Sequence, residues 1–157
     1  MAKSIFASFY YDLDSHRVQQ VLNMGAIEGD SKVTAQEWES VKRKTDAAIE
    51  KWIHDQMLRK SAVVVLVGSQ TASRKWVRYE ISEAWDGRRP LVGIRIHGLK
   101  NFQQQTDSVG ANPFASIKLK DGSTLDSRVH LHNPAGADSQ AMYKSIPDNI
   151  DLSLIHI

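Results

Sequence analysis

Three observations predict an α/β fold of the flavodoxin-like kind, in which helices cover both faces of a central, mostly parallel sheet. Residues 62–67, AVVVLV, are an unbroken apolar run, too short for a helix and closed by Gly68, as expected of a strand buried on both faces. Residues 74–86 then place Val77, Ile81, Ala84 and Trp85 at helical spacing, so one stripe of a helix docks on that sheet. Finally, the order along the chain (strand, helix, loop, long helix, strand, helix, strand) is that of β-α units with parallel strands.

Residues 4–11, SIFASFYY, are β-branched and aromatic and form the first, central strand. Alternation sets Ile5, Ala7 and Phe9 on one face and Phe6, Ser8 and Tyr10 on the other. Asp12 to Ser15 read as a turn, with Ser15 capping a helix over 16–24 whose buried side is Val18, Val21 and Leu22. Two glycines make 25–33 a loop, with a short edge strand at Ala26 and Ile27. Thr34 and Glu37 fit a capping box opening a long helix to about Lys60. Its apolar face runs through Trp38, Val41, Thr45, Ala48, Ile49, Trp52, Ile53 and Met57, read as core packing.

Gly68 to Ser73 are turn and cap residues, and Gly87 caps the helix that follows. Residues 91–97, LVGIRIH, form a third strand, and the polar stretch 98–112 forms a long surface loop. Asp121 and Gly122 sit where a hairpin turn places them, and 127–132 alternate. These later strands either extend the sheet or form an appended hairpin. A short helix before Pro147 and an apolar LSLIHI close the chain.

With 157 residues, 41% of them hydrophobic, the chain builds one domain, 1–157, without covalent staples. A net charge of +2 with both signs interspersed argues against a nucleic-acid stripe, although the basic balance favours anions such as nucleotide phosphates. The absence of cysteine excludes a disulfide framework, a thiol nucleophile and cysteine-based zinc sites, and fits a reducing cytoplasm. No apolar run reaches the roughly 20 residues that span a bilayer. Neither nucleic acid nor a membrane is expected as a partner.

The polar groups concentrate at the carboxyl ends of the strands, the edge where open α/β sheets hold ligands. Glu80 and Trp76 lie one helical turn apart and look out over the end of the 62–67 strand. Arg17, beside the end of the first strand, suits a phosphate or carboxylate. His130 and His132 share a strand face, with no third ligand at a persuasive spacing, so no metal is expected. No P-loop or dinucleotide fingerprint occurs, which argues against nucleoside triphosphate hydrolysis and hydride transfer.

FASFYYD near the start, W-E-x-x-K from Trp38 to Lys42, VGSQTASRKWVRYEI and PLVGIRIH together resemble the TIR-like domains of bacterial antiphage systems, in particular the TIR proteins of Thoeris defence. The resemblance covers residues 2–114 and is most specific over 68–81; residues 115–157 form an extension of β and loop character. It implies that Glu80 is the catalytic glutamate of NAD+ cleavage. It also implies a cyclic ADP-ribose isomer as product, acting as a diffusible signal for a partner effector protein. NAD+ is then substrate, and no cofactor is required.

On that reading Ser8 and Tyr10 bond ribose or phosphate, Arg17 pairs a phosphate, and Trp76 or Tyr11 stacks on a ring. Ser69, beside the helix entry, offers a further phosphate contact. The alternative is a non-catalytic TIR-like module that works through protein contacts, since fold alone does not decide function. A homo-oligomer suits either reading.

Overall fold

The structure, a computed structural model, describes residues 3–10, 12–14, 16–18, 27–29, 41, 43–58, 60, 62–100, 103 and 105–133. Among the described residues five strands form one sheet: β1 (Lys3–Ser8), β2 (Ile27–Gly29), β3 (Ala62–Val67), β4 (Leu91–Arg95) and β5 (Leu131–His132). Their spatial order is β2-β1-β3-β4-β5 and every pairing is parallel. This is the flavodoxin-like order, and its switch point falls between β1 and β3.

β3 is buried at every position, which accounts for its lack of alternation. Phe6 and Ser8 of β1 lie in register with Val63 and Val65. The core cluster on that face joins Phe6, Val63, Val65 and Val67 to Ile49, Ile53 and Met57 of α1 (Asp46–Met57) and to Val77, Ile81 and Ala84 of α2 (Lys75–Asp86). Val64, Leu66, Val92 and Ile94 are equally buried, so both faces of the central strands are covered. Gly93 gives Phe114 its place: a Cβ there would lie 2.8 Å from the Phe114 ring.

Several expectations need correction. β1 ends at Ser8, and the segment expected as a turn is already helical at 12–14, because the Asp14 N–H donates to the Tyr10 carbonyl at 3.0 Å. The long second helix is broken at Arg43–Thr45. Thr45, expected inside its apolar face, is instead the N-cap of α1, its Oγ1 accepting from the Ala48 N–H at 3.3 Å. Trp85, expected to dock on the sheet, is 37% exposed. It lies just past the stripe that α2 turns to the core.

α2 closes with the paired bonds of a Schellman motif, Arg88 N–H to Trp85 O and Arg89 N–H to Ala84 O, both 3.0 Å. Gly87 is the C-cap at φ −80°, and the left-handed position falls one residue later, on Arg88 at φ 56°. The 98–112 stretch begins buried at Gly98 and Leu99 rather than lying wholly on the surface.

β5 extends the sheet beyond β4, and Asp121 and Gly122 turn a minimal hairpin held by one antiparallel bridge, Lys118 to Thr124. Gly122 takes φ 88°, which only glycine adopts freely. Both alternatives for the tail are therefore realised. The edge strand occurs at Ile27–Gly29; Ala26, Ser15, the Thr34/Glu37 cap, Trp38, Val21, Leu22 and the 134–157 tail lie outside the described residues. No helix among the described residues is long and apolar enough to cross a membrane.

Candidate active site

β1 and β3 are neighbours in the sheet, but the chain continues from β1 to β2 on one side and from β3 to β4 on the other, which makes their carboxyl ends the switch point. Ser8 ends one and Gly68 follows the other. α2 packs against β1, β3 and β4, and its amphipathic phase sets Glu80 one position before the buried Ile81, on the edge of the docking stripe. The result is a buried contact between residues 72 apart: Ser8 Oγ donates to Glu80 Oε1 at 2.7 Å. Glu80 is 8% exposed and Ser8 fully buried.

Burial pushes the Glu80 carboxyl up to about 8, opposed by the Ser8 hydrogen bond. At neutral pH the resting group is therefore largely a neutral acid. A cation arriving beside it favours the carboxylate. An acid in this state is suited to stabilising a positive charge that forms during a reaction.

Tyr10, two residues beyond Ser8, lies under Arg74, whose guanidinium carbon is 3.8 Å from the ring centroid. Arg74 Nη2 donates to Gln70 Oε1 at 2.6 Å, while its Nε is buried without a partner. The loop between β3 and α2 is braced by Gly68 N–H donating to Thr71 Oγ1 at 2.7 Å. Ser8 and Tyr10, at and just beyond the end of β1, thus each meet a residue of the segment after β3, Glu80 and Arg74 respectively. Tyr11 lies outside the described residues.

The other expected ligand groups are engaged within the protein. Ser69 Oγ donates to Asp107 Oδ2 at 2.5 Å, and this bond is the first cause of the lowered Asp107 pKa. Trp76 stacks edge-on with Tyr79 at 5.8 Å under Lys75, which pairs with Asp46 of α1. Its described contacts lead toward α1.

Arg17, expected as an open phosphate contact, is 1% exposed and donates to Leu99 O at 2.8 Å, Gln105 O at 3.0 Å and Asp14 Oδ1 at 3.0 Å. Its side chain is a tie-rod between the helix after β1 and the loop after β4. Asp14 is pushed up by burial and pulled down by Arg17, with its Oδ2 packed against Gly68. His130 and His132 have ring centroids 6.1 Å apart, and no group of three metal-ligating side chains occurs among the described residues.

Sequence reasoning missed Arg74 and Asp107. Arg74 carried a signal, a cation at the mouth of the helix bearing Glu80; Asp107, in a polar stretch without periodicity, carried none.

A flavodoxin-like sheet that presents a buried glutamate at its switch point, from the helix after β3, has the layout of a TIR-like domain. The family model for the TIR-like domain of Thoeris protein ThsB matches residues 6–101. The chain is also 33% identical over 141 residues to "Putative cyclic ADP-D-ribose synthase ThsB1" of Bacillus cereus (strain MSX-D12), an alignment spanning 87% of this chain and 73% of that protein. The chain belongs to the Thoeris ThsB TIR-like family.

Proposed function

We propose that this protein is an NAD+-cleaving enzyme of antiphage defence, releasing nicotinamide and forming a cyclic ADP-ribose isomer that signals to a partner effector. The observation that carries the proposal is the buried Ser8–Glu80 pair at the β1/β3 switch point. The name of the Bacillus cereus relative supports the product class.

In this reaction the bond between the ribose anomeric carbon and the nicotinamide nitrogen breaks. Its electron pair stays on nitrogen and neutralises the pyridinium ring, so nicotinamide leaves without needing a proton, and one carboxylate suffices where glycosidases commonly use two. Positive charge passes to the ribose. Glu80, ionised by the cation beside it, orients the ribose hydroxyls and stabilises that charge as it grows. Water attacking the anomeric carbon gives linear ADP-ribose. A nucleophile of the same nucleotide closes a ring, the outcome favoured where water is excluded.

Ser8 holds the Glu80 carboxyl in place until substrate hydroxyls take over the contact. Tyr10 and Arg74 form a cationic, aromatic wall suited to a phosphate and a ring.

Purified protein incubated with NAD+, alone and with lysate of phage-infected cells, is expected to release nicotinamide by chromatography, with the cyclic product identified by mass and fragmentation. Glu80→Gln keeps the size and the Ser8 acceptor while removing the charge, and release should fall by at least about a thousandfold. Full turnover by that variant would exclude Glu80 from the chemistry.

A further inference from the structure

α2 links two edges of the sheet. Its first turns border the Ser8–Glu80 pair, and its last turn reaches the opposite, amino edge, where Pro90 leads into β4. There an open cavity of about 780 Å³ lies between the end of α2, the 117–121 hairpin and Arg128. That volume is within the range of small-molecule sites.

Three cations of this groove, Arg88, Lys118 and Lys120, have no ion pair among the described residues. Two others are occupied: Arg128 pairs with Asp121 at 3.1 Å, and Arg89 Nε donates to Met57 O at 3.3 Å. The Trp85 indole is 37% exposed on the groove wall, the only tryptophan among the described residues that is this open. Asp86 supplies an acceptor beside it.

The backbone adds a second observation. Arg88 takes the left-handed conformation that a Schellman cap requires, although Gly87, which could adopt it freely, stands one place earlier. An arginine in that strained position puts a cation on the groove wall where glycine would have made the better cap.

We propose that this groove binds a nucleotide carrying two or more phosphates, remote from the Ser8–Glu80 pair. Its phosphates sit against Lys118, Lys120 and Arg88, its base stacks on Trp85, and Asp86 accepts from a ribose hydroxyl or base amine. One exposed indole beside three unpaired cations suits a base and a pyrophosphate. An acidic peptide would bring carboxylates against Asp86 and leave the indole without a partner. The site does not depend on the proposed NAD+ chemistry, and α2 gives it a direct structural path to Glu80.

ADP titrated calorimetrically into the full chain at low salt tests the proposal. Binding should weaken at least about tenfold in Lys118→Ala/Lys120→Ala and by a similar factor in Trp85→Ala. It should fall with added salt, and adenosine should bind more weakly than ADP. Lys118 and Lys120 are exposed, so the double variant keeps the fold, and its nicotinamide release from NAD+ should match that of the parent chain. The proposal fails if ADP does not bind, if the double variant binds it unchanged, or if hexaglutamate binds the groove more tightly than ADP.

Discussion

Glu80 is held in the folded protein against its own preference for water, and this has consequences for both rate and stability. With the carboxyl raised from 4.5 to about 8, the proposed chemistry expects kcat/KM for nicotinamide release to climb with pH through about 8 and level off above it, as the free protein gains its carboxylate. The limb for kcat should lie at lower pH, because the bound pyridinium favours ionisation. Rates measured between roughly pH 6 and 9 check both limbs. For stability the sign is negative: above pH 4.5 the unfolded chain loses a proton that the folded chain keeps until about 8. Across that window the parent therefore loses stability relative to Glu80→Gln, and denaturant melts at several pH values would show the gap widening up to about pH 8 and then levelling off. Helical phase placed Glu80 over the right edge of the sheet from sequence. Its burial was not legible, because the covering hydroxyl comes from Ser8, 72 positions away.

At the scale of elements, the strand-loop-helix of β3 and α2 was the most legible part, since a continuous apolar run and a 3.6-residue stripe are local signals. Its tightest point was not. Gly68 faces Asp14 so closely that a Cβ would lie 2.2 Å from Oδ2, and that carboxylate is buried and held by Arg17. Gly68→Ala should destabilise the domain by about 2 kcal/mol or more and depress any activity, because either Asp14 or the β3–α2 loop must move. A chemical melt beside a nicotinamide assay reads both. α1 shows the opposite error: a single apolar face suggested one helix from Thr34, yet Thr45 starts a fresh cap. A threonine on an apolar stripe reads equally as a core residue or as an N-cap, and only the backbone distinguishes them.

Across the whole molecule, Arg17 joins parts of the chain that lie far apart in sequence. Its three hydrogen bonds, two of them buried, hold the helix after β1, Leu99 just beyond β4 and Gln105 in the loop that packs on Gly68 and Ser69. Arg17→Ala leaves Asp14 buried without its partner, so a loss of about 3–5 kcal/mol is expected, with faster proteolysis within 100–112. Arg17→Lys, which keeps the charge but not the planar fork, should recover only part of that loss. The sequence by itself determined the α/β class, the parallel sheet, the helix bearing Glu80 and the family resemblance, because hydrophobic period and short motifs are written in neighbouring residues. Only the tertiary structure decided that Glu80 is a buried acid under Ser8, that Arg17 and Ser69 are engaged internally, and that Trp85 faces a basic groove. Burial and pairing depend on which distant segments meet, and the same arginine serves a ligand or a loop according to what the fold places within 3.0 Å of it.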